Sequence, residues 1–381
     1  MTRLLGDFDV AEEIVQDTLL VALERWRRDG IPARPGAWLA TAARRHAVDR
    51  LRREARYRQK LALLEAQPKL AMGEPDDRLR LIFTCCHPAI APEAQVALTL
   101  RAVCGFTTAE IAGAFLISEA AVAQRIARAR RKVVAAGIPY RIPAGDEMAE
   151  RLNEVLAVLY LMFNEGYLSS GAGAPARRNI AEEAAWLTGL VTRLLPSEPE
   201  PLGLSALMRL QLARAAARFD AAGDLVLLAD QDRSFWDREE IAAAVELIER
   251  AAAMRRPGPY QLQAAIAACH AEAPSWEATD WPQILVLYDM LVGIAPSPVF
   301  RLNRAVALRE VAGPETALTE VDALARELDG YHLLHATRAE LLFELGRPEA
   351  EQAELRALAL TANRAEQALL ERRLKRDTSL G

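Results

Sequence analysis

No apolar run in the 381 residues is long enough to cross a bilayer, and the first residues do not form a signal peptide, so no membrane partner is expected. Cysteine is scarce. Cys85, Cys86, Cys104 and Cys269 are too few and too irregularly spaced for a disulfide framework, which makes a reducing cytoplasm the expected compartment. No second CxxC and no HxxxH accompanies "CCHP" at 85–88, and vicinal cysteines rarely ligate one ion well. These thiols read as buried, and no metal site is expected. "NEGY" (164–167) and "DQDR" (230–233) carry carboxylates, but neither a Ser/His/Asp set nor a glycine-rich phosphate loop accompanies them. They read as capping and salt-bridging groups, and the chain is expected to have no active site and no cofactor. Stretches alternating with strand period are few.

What is present is helix-forming. Alanine, leucine, arginine and glutamate dominate and 51% of residues are hydrophobic, which predicts an all-α protein of two or three domains. The formal net charge of −5 hides an asymmetry. Residues 1–145 hold 23 Lys/Arg against 16 Asp/Glu, a net +7, and the remainder holds 24 against 36, a net −12. Residues 34–60 alone carry nine basic and two acidic side chains. A polyanion-binding part joined to a part with another task follows from that division.

Residues 8–28 read as one helix, with Asp9 as N-cap, Glu12 and Glu13 in the first turn, and Ile14, Leu19, Leu23 and Trp26 at apolar positions. "RDGIPARPG" (28–36) reads as a loop, because Gly30, Pro32, Pro35 and Gly36 interrupt a helix. A second helix is expected from Ala37 to Arg58. Trp38, Leu39, Ala42, Val48 and Leu51 lie near one face, and Arg44, Arg45, Arg50, Arg52 and Arg53 on the other. "QPKLAMGEPDD" (67–77) reads as a linker, followed by helices near 78–86, 92–104, 108–115 and 119–135. "AGIPYRIPAGDE" (136–147) breaks the pattern and marks the next boundary. Helix follows helix from 148 onward. "RAVALREVAGPETAL" from Arg304 is echoed by "RAELLFELGRPEAEQ" from Arg338, 34 residues later, the period of a tetratricopeptide helix pair. His270, Trp276 and Trp281 read as interhelical packing.

"EIAGAFLISEAAVAQRIARARRK" (110–132) has the layout of a helix-turn-helix. Ile111, Ala112 and Phe115 face inward on the first helix. Leu116, Ile117 and Ser118 make the turn, with Ser118 as N-cap of the second helix. Val122, Ile126, Ala129 and Val133 form one buried stripe. Gln124, Arg125, Arg128 and Arg131 project elsewhere, with Arg130 and Lys132 beside them. Arginine can bind guanine bidentately or a phosphate, and glutamine can pair with adenine. The plainer alternative is a solvated basic face on an ordinary helical hairpin, since the turn has no glycine.

"AEEIVQDTLLVALERW" followed by "PGAWLATAARRHAVDRLRR" resembles region 2 of the extracytoplasmic-function (ECF) sigma factors of bacterial RNA polymerase. "PEAQVALTLRAVCGFTTAEIAGAFLISEAAVAQRIARARRKV" resembles their region 4. "GIPYRIP", "VLYLMFNEGY", "LVLLADQDRSFWDR" and "GPYQLQAAIAACHAEAPS" are similar to a subgroup with a long tetratricopeptide-like C-terminal extension. The resemblance implies that Glu12, Glu13, Gln16 and Asp17 dock on the clamp helices of the polymerase β′ subunit, with the β subunit as a further contact. It implies that the loop 28–36 and the next helix read and melt the promoter −10 element. Arg44, Arg45, Arg50, Arg52 and Arg53 would then hold the strand's phosphates, and Asp49 would orient these arginines or read a base edge. Trp26 and Trp38 are expected in the core. Ser118, Gln124, Arg125, Arg128, Arg131 and Lys132 would serve the −35 duplex.

The domains implied are sigma region 2 over 1–66, a linker and connecting helix over 67–91, region 4 over 92–140 and the helical extension over 148–381. Promoter DNA and core polymerase are the expected partners, with a regulatory protein possible on the extension. Family members begin with a further helix where this sequence has only "MTRLL" before "GDFD", so Ile14, Leu23 and Trp26 are expected to be partly exposed. Two rival readings remain. One is a polymerase-independent helix-turn-helix regulator with a tetratricopeptide sensor; the other is an enzyme with its site in residues 148–381.

Overall fold

The computed structural model describes residues 15, 16, 18, 19, 22, 26, 30–32 and 34–43, then 77–115, 117–168, 175–220, 223–361 and 363–380. Glu12, Glu13, Asp17, Arg44, Arg45, Asp49, Arg50, Arg52 and Arg53 lie outside the described residues. The protein is all-α: among the described residues the sole β feature is an isolated bridge between Phe219 and Leu225. The chain divides into two compact units, one up to Val158 and one from Leu159.

Near the start, residues 15, 16, 18, 19, 22 and 26 are helical, with Thr18 and Ala22 buried and Val15 and Leu19 exposed. The inward stripe thus runs through 18 and 22, one step around the helix from the expected Leu19. Residues 35–43 are also helical, so Pro35 and Gly36 belong to this helix rather than to the loop before it. Proline at a helix start loses nothing, because the first N–H groups have no partner within the helix. The Trp26 and Trp38 rings meet edge to face at 5.6 Å, both half-buried.

Four helices then build the core of the first unit: α1 (Asp77–Cys85), α2 (Pro92–Ala102), α3 (Thr108–Phe115) and α4 (Glu119–Ala135). α2 is central. Its residues 95–100 are all buried, and it packs against each of the other three. Ile82, Phe83, Leu100, Ile111 and Val122 fill the interior, each stabilising the fold by about 1.5–3 kcal/mol through burial. Cys85 and Cys86 are buried in the same core, as expected, with Cys86 Sγ 3.6 Å from Thr99 Oγ1. Loss of water pushes both thiols up, Cys86 to about 12.

The segment after α4 breaks the helical pattern but stays on this core. Ile138 is buried, and Thr84 Oγ1 donates to Pro139 O at 3.4 Å. In the next helix, α5 (Asp146–Leu168), Arg151 donates to Phe83 O, and Glu147 pairs with Arg141 at 2.6 Å. The division between the units therefore falls inside α5, not in the Gly/Pro segment before it.

The second unit begins with α6 (Pro175–Leu194), α7 (Pro199–Ala213), α8 (Arg238–Ala253), α9 (Pro259–Glu272) and α10 (Trp281–Ile294). α7 is sunk among its neighbours, and a Cβ on Gly203 would lie 2.5 Å from the backbone nitrogen of Gln261 in α9. That absent side chain lets two backbones touch. Glu200 caps α9, accepting the Tyr260 and Gln261 amides at 3.0 and 3.2 Å.

"DQDR" and "NEGY" have structural roles here. Asp232 Oδ1 accepts the Ser234 amide at 2.9 Å. Arg233 Nη1 donates to the carbonyls of His270 and Ala273 at the end of α9, 2.5 and 2.8 Å away, with its guanidinium 4.5 Å above the Trp236 ring. Arg218 lies 3.9 Å over the Tyr167 ring and donates to Tyr167 O at 2.7 Å. His270 stacks on Trp276 at 5.9 Å and meets Trp281 edge-on at 5.1 Å.

The remaining helices are α11 (Pro298–Ala312), α12 (Pro314–Ala323), the single turn α13 (Ala325–Leu328), α14 (His332–Glu344), α15 (Glu349–Leu360) and α16 (Arg364–Leu380). The 34-residue repeat emerges as two helix pairs, α11/α12 and α14/α15, with tight turns at Gly313 (φ 85°) and Gly346 (φ 66°). The repeated arginine has one job in both copies. Arg304 Nε bonds Asp289 at 2.6 Å and Arg338 Nε bonds Asp322 at 2.7 Å, each reaching a helix earlier in the chain.

Candidate nucleic-acid interface

α3 starts with a reciprocal cap. Glu110 Oε2 accepts the Thr107 amide at 2.7 Å and the Thr107 hydroxyl at 2.8 Å, while Thr107 Oγ1 accepts the Glu110 amide at 3.2 Å. These bonds to Thr107 hold the Glu110 carboxyl below its ordinary range. Sequence reading passed over this pair, although T-x-x-E at 107–110 was a legible signal. Arg101 Nη1 donates to Phe106 O at 3.0 Å and fixes the loop leading into α3.

The turn into α4 is closed without glycine. Ile117 donates its amide to Ala112 O at 3.1 Å, and Leu116 lies outside the described residues. Ser118, in extended backbone (φ −71°, ψ 149°), then accepts the Ala121 amide on its Oγ at 3.2 Å. Val122, Ile126 and Ala129 are buried and Val133 is half-buried, so one stripe of α4 faces α2 and α3.

Side chains advance about 100° per residue around a helix, so this buried stripe dictates what faces out. Gln124, Arg128 and Arg131 form the outermost ridge, all exposed. It spans about 10 Å along the axis at the helical rise. Half-buried Arg125 and exposed Lys132 flank it on one edge. With Arg128 they line a cleft of about 470 Å³ whose far wall includes Ala89, Ala91 and Glu93. On the other edge Arg131 shares a cleft of about 610 Å³ with Arg101, Thr108 and Arg130. Arg130 therefore belongs to that opposite edge, close enough to Cys85 for its charge to favour the thiolate. Gln124, Arg125, Arg128, Arg131 and Lys132 thus share the face of α4 opposite its buried stripe. Ser118 sits at its start with its hydroxyl engaged in the cap. The recruitment of Arg101 had no sequence signal, since it lies on a different helix.

Of the candidate polymerase-binding residues only Gln16 is described: it is exposed, beside exposed Val15 and Leu19. In the loop before residue 35, Gly30 has φ +80° and Ile31 is 73% exposed. No described helix is long and apolar enough to cross a membrane.

Three families match along the chain: Sigma-70 region 2 over residues 1–57, Sigma-70, region 4 over 80–133, and a family of unknown function (DUF6596) over 151–252. Uncharacterized protein R00370 of Rhizobium meliloti (strain 1021) is 44% identical over 392 residues, spanning 98% of this chain and 91% of that protein. The ECF RNA polymerase sigma factor SigL of Mycobacterium tuberculosis (strain H37Rv) is 33% identical over 129 residues, 32% of this chain and 72% of SigL. The ECF RNA polymerase sigma factor SigJ of the same strain is 32% identical over 171 residues, 41% of this chain and 53% of SigJ. No solved structure matches significantly.

Proposed function

We propose that this chain, which belongs to the ECF RNA polymerase sigma factors, recruits core RNA polymerase to promoters with paired −35 and −10 elements and helps open the DNA. The observation that carries this reading is the ridge of α4, where one glutamine and several cations face outward from a helix pinned by its cap. Gln124, Arg125 and Arg128 read base edges of the −35 duplex, Arg131 and Lys132 bind its phosphates, and Ser118 sets the helix in register. Glu12, Glu13, Gln16 and Asp17 face the β′ clamp helices, with exposed Val15 and Leu19 adding apolar contact beside them. Arg44, Arg45, Arg50, Arg52 and Arg53 hold the freed −10 strand while Asp49 orients them, so that binding of the unstacked strand offsets melting without nucleotide hydrolysis.

In this reading region 2 occupies 1–66, a connection 67–91, region 4 92–140, and the acidic helices of 148–381 regulate the rest, through a protein partner or through the basic parts. The test is run-off transcription with purified core enzyme on a library of promoter fragments. Transcripts that depend on this chain and on both promoter elements are expected. Binding of duplex DNA with no association with core enzyme would instead make it a polymerase-independent regulator.

A further inference from the structure

A cavity of about 690 Å³ lies within the second unit, between α11, α14, α16 and the segment 225–230. That volume suits a site enclosing a small organic molecule. Leu228, Trp276, Val306, Leu333, Leu369 and Leu370 give it an apolar wall. Leu333 is 41% exposed, whereas Leu334 and Leu342 of the same helix are buried, so the apolar surface at Leu333 is unused by the fold.

The charges around the cavity are unbalanced. Asp230, Glu310, Glu340 and Glu366 face it, against the guanidiniums of Arg309 and Arg373. Both guanidiniums are already engaged, Arg373 with Glu340 at 3.1 Å and Arg309 with Glu344 at 2.6 Å. Glu366 lies 3.0 Å from His332. Asp230 has no cation among the described residues, and Glu310 reaches Arg309 only at 3.9 Å. The charge left for a ligand is negative. An anion would meet repulsion from Asp230 and Glu310 while losing its water. A cation gains both carboxylates and an aromatic ring in the wall.

We propose that this cavity binds an amphipathic organic cation, an apolar body carrying one ammonium group, as a ligand of the C-terminal extension. The inference stands apart from the promoter reading, because every residue lining the cavity belongs to the second unit.

Calorimetric titration of the full chain with n-octyltrimethylammonium, octanoate and octanol, all below micelle formation, tests it. The cation is expected to bind saturably, one per chain, about tenfold more tightly than octanoate. The double variant Asp230→Asn, Glu310→Gln should weaken the cation about fivefold and leave octanol unchanged, with an unaltered melting temperature confirming the fold. Leu333→Trp, which fills the cavity from its mouth, should abolish binding. Equal affinity for octanoate, full binding by the Leu333→Trp protein, or no saturable binding would overturn the proposal. Binding of oligolysine without the small cation would also overturn it, in favour of a peptide groove.

Discussion

Ser118 Oγ accepts the backbone N–H of Ala121 at 3.2 Å, and this bond fixes the first turn of the helix whose outward ridge carries Gln124, Arg128 and Arg131. Removing a serine N-cap typically costs about 1 kcal/mol. Ser118→Ala is expected to lower the stability of the first unit by about that amount, with Ser118→Asp retaining it. Urea denaturation followed by circular dichroism measures both. If Ser118 instead contacts DNA directly, the aspartate variant will lose promoter affinity through its added negative charge.

Arg128 sits mid-ridge and Lys132 at its edge, so their loss should read differently. Arg128→Ala is expected to cost about 1–3 kcal/mol at one promoter position and little elsewhere. Lys132→Ala should weaken all sequences alike and reduce the salt dependence by about one counterion. Binding titrations over single-base promoter variants at several salt concentrations distinguish the two. A uniform loss for Arg128→Ala would reassign it to a phosphate.

Gly203 and Gly293 make a matched pair of glycines in helices. At Gly203 a Cβ would press on the Gln261 backbone at 2.5 Å, and at Gly293 it would meet nothing within 4 Å. Gly203→Ala should destabilise the second unit by about 1–3 kcal/mol, as overpacking does. Gly293→Ala should be neutral or stabilising, by up to about 1 kcal/mol from helix propensity. Thermal melts of the two variants suffice; equal effects would refute the close contact of α7 with α9.

His270 is pushed down to about 4 from its ordinary 6.5, first by burial and then by Arg214 and Arg233. Between those values the unfolded chain binds a proton that the folded one refuses. The stability that depends on neutral His270 is therefore full above pH 6.5 and is lost as pH falls toward 4, a change of about 3 kcal/mol. Denaturant midpoints measured from pH 7.5 to 4 should fall over that window, and His270→Gln should flatten the slope. An unchanged slope would place the acid sensitivity elsewhere.

Much of the candidate interface was legible because it is local. The cap at Ser118 and the stripe Val122, Ile126, Ala129 use neighbours three or four residues apart, so spacing alone orients the ridge. Arg130, one residue on from buried Ala129, falls by the same spacing on the edge it shares with Arg131 and Arg101. Its nearness to Cys85 depends on how the helices pack and has no local signal. Pro35 was misplaced in the loop because proline reads as a breaker unless its position in the first turn is known.

The sequence alone determined the helical class, the basic face at 124–132, the 34-residue period and the capping serine. All of these depend on periodicity, composition or side chains within one turn of each other. Only the tertiary structure decided that Arg233 would close the end of α9, 37 residues away in the His270 bond, or that Arg151 would reach Phe83 across 68 residues and hold the start of α5 on the first unit. The pattern of residues shows that a helix has an inner face. Which helix it meets there depends on long-range packing, and so did the cavity between α11, α14 and α16.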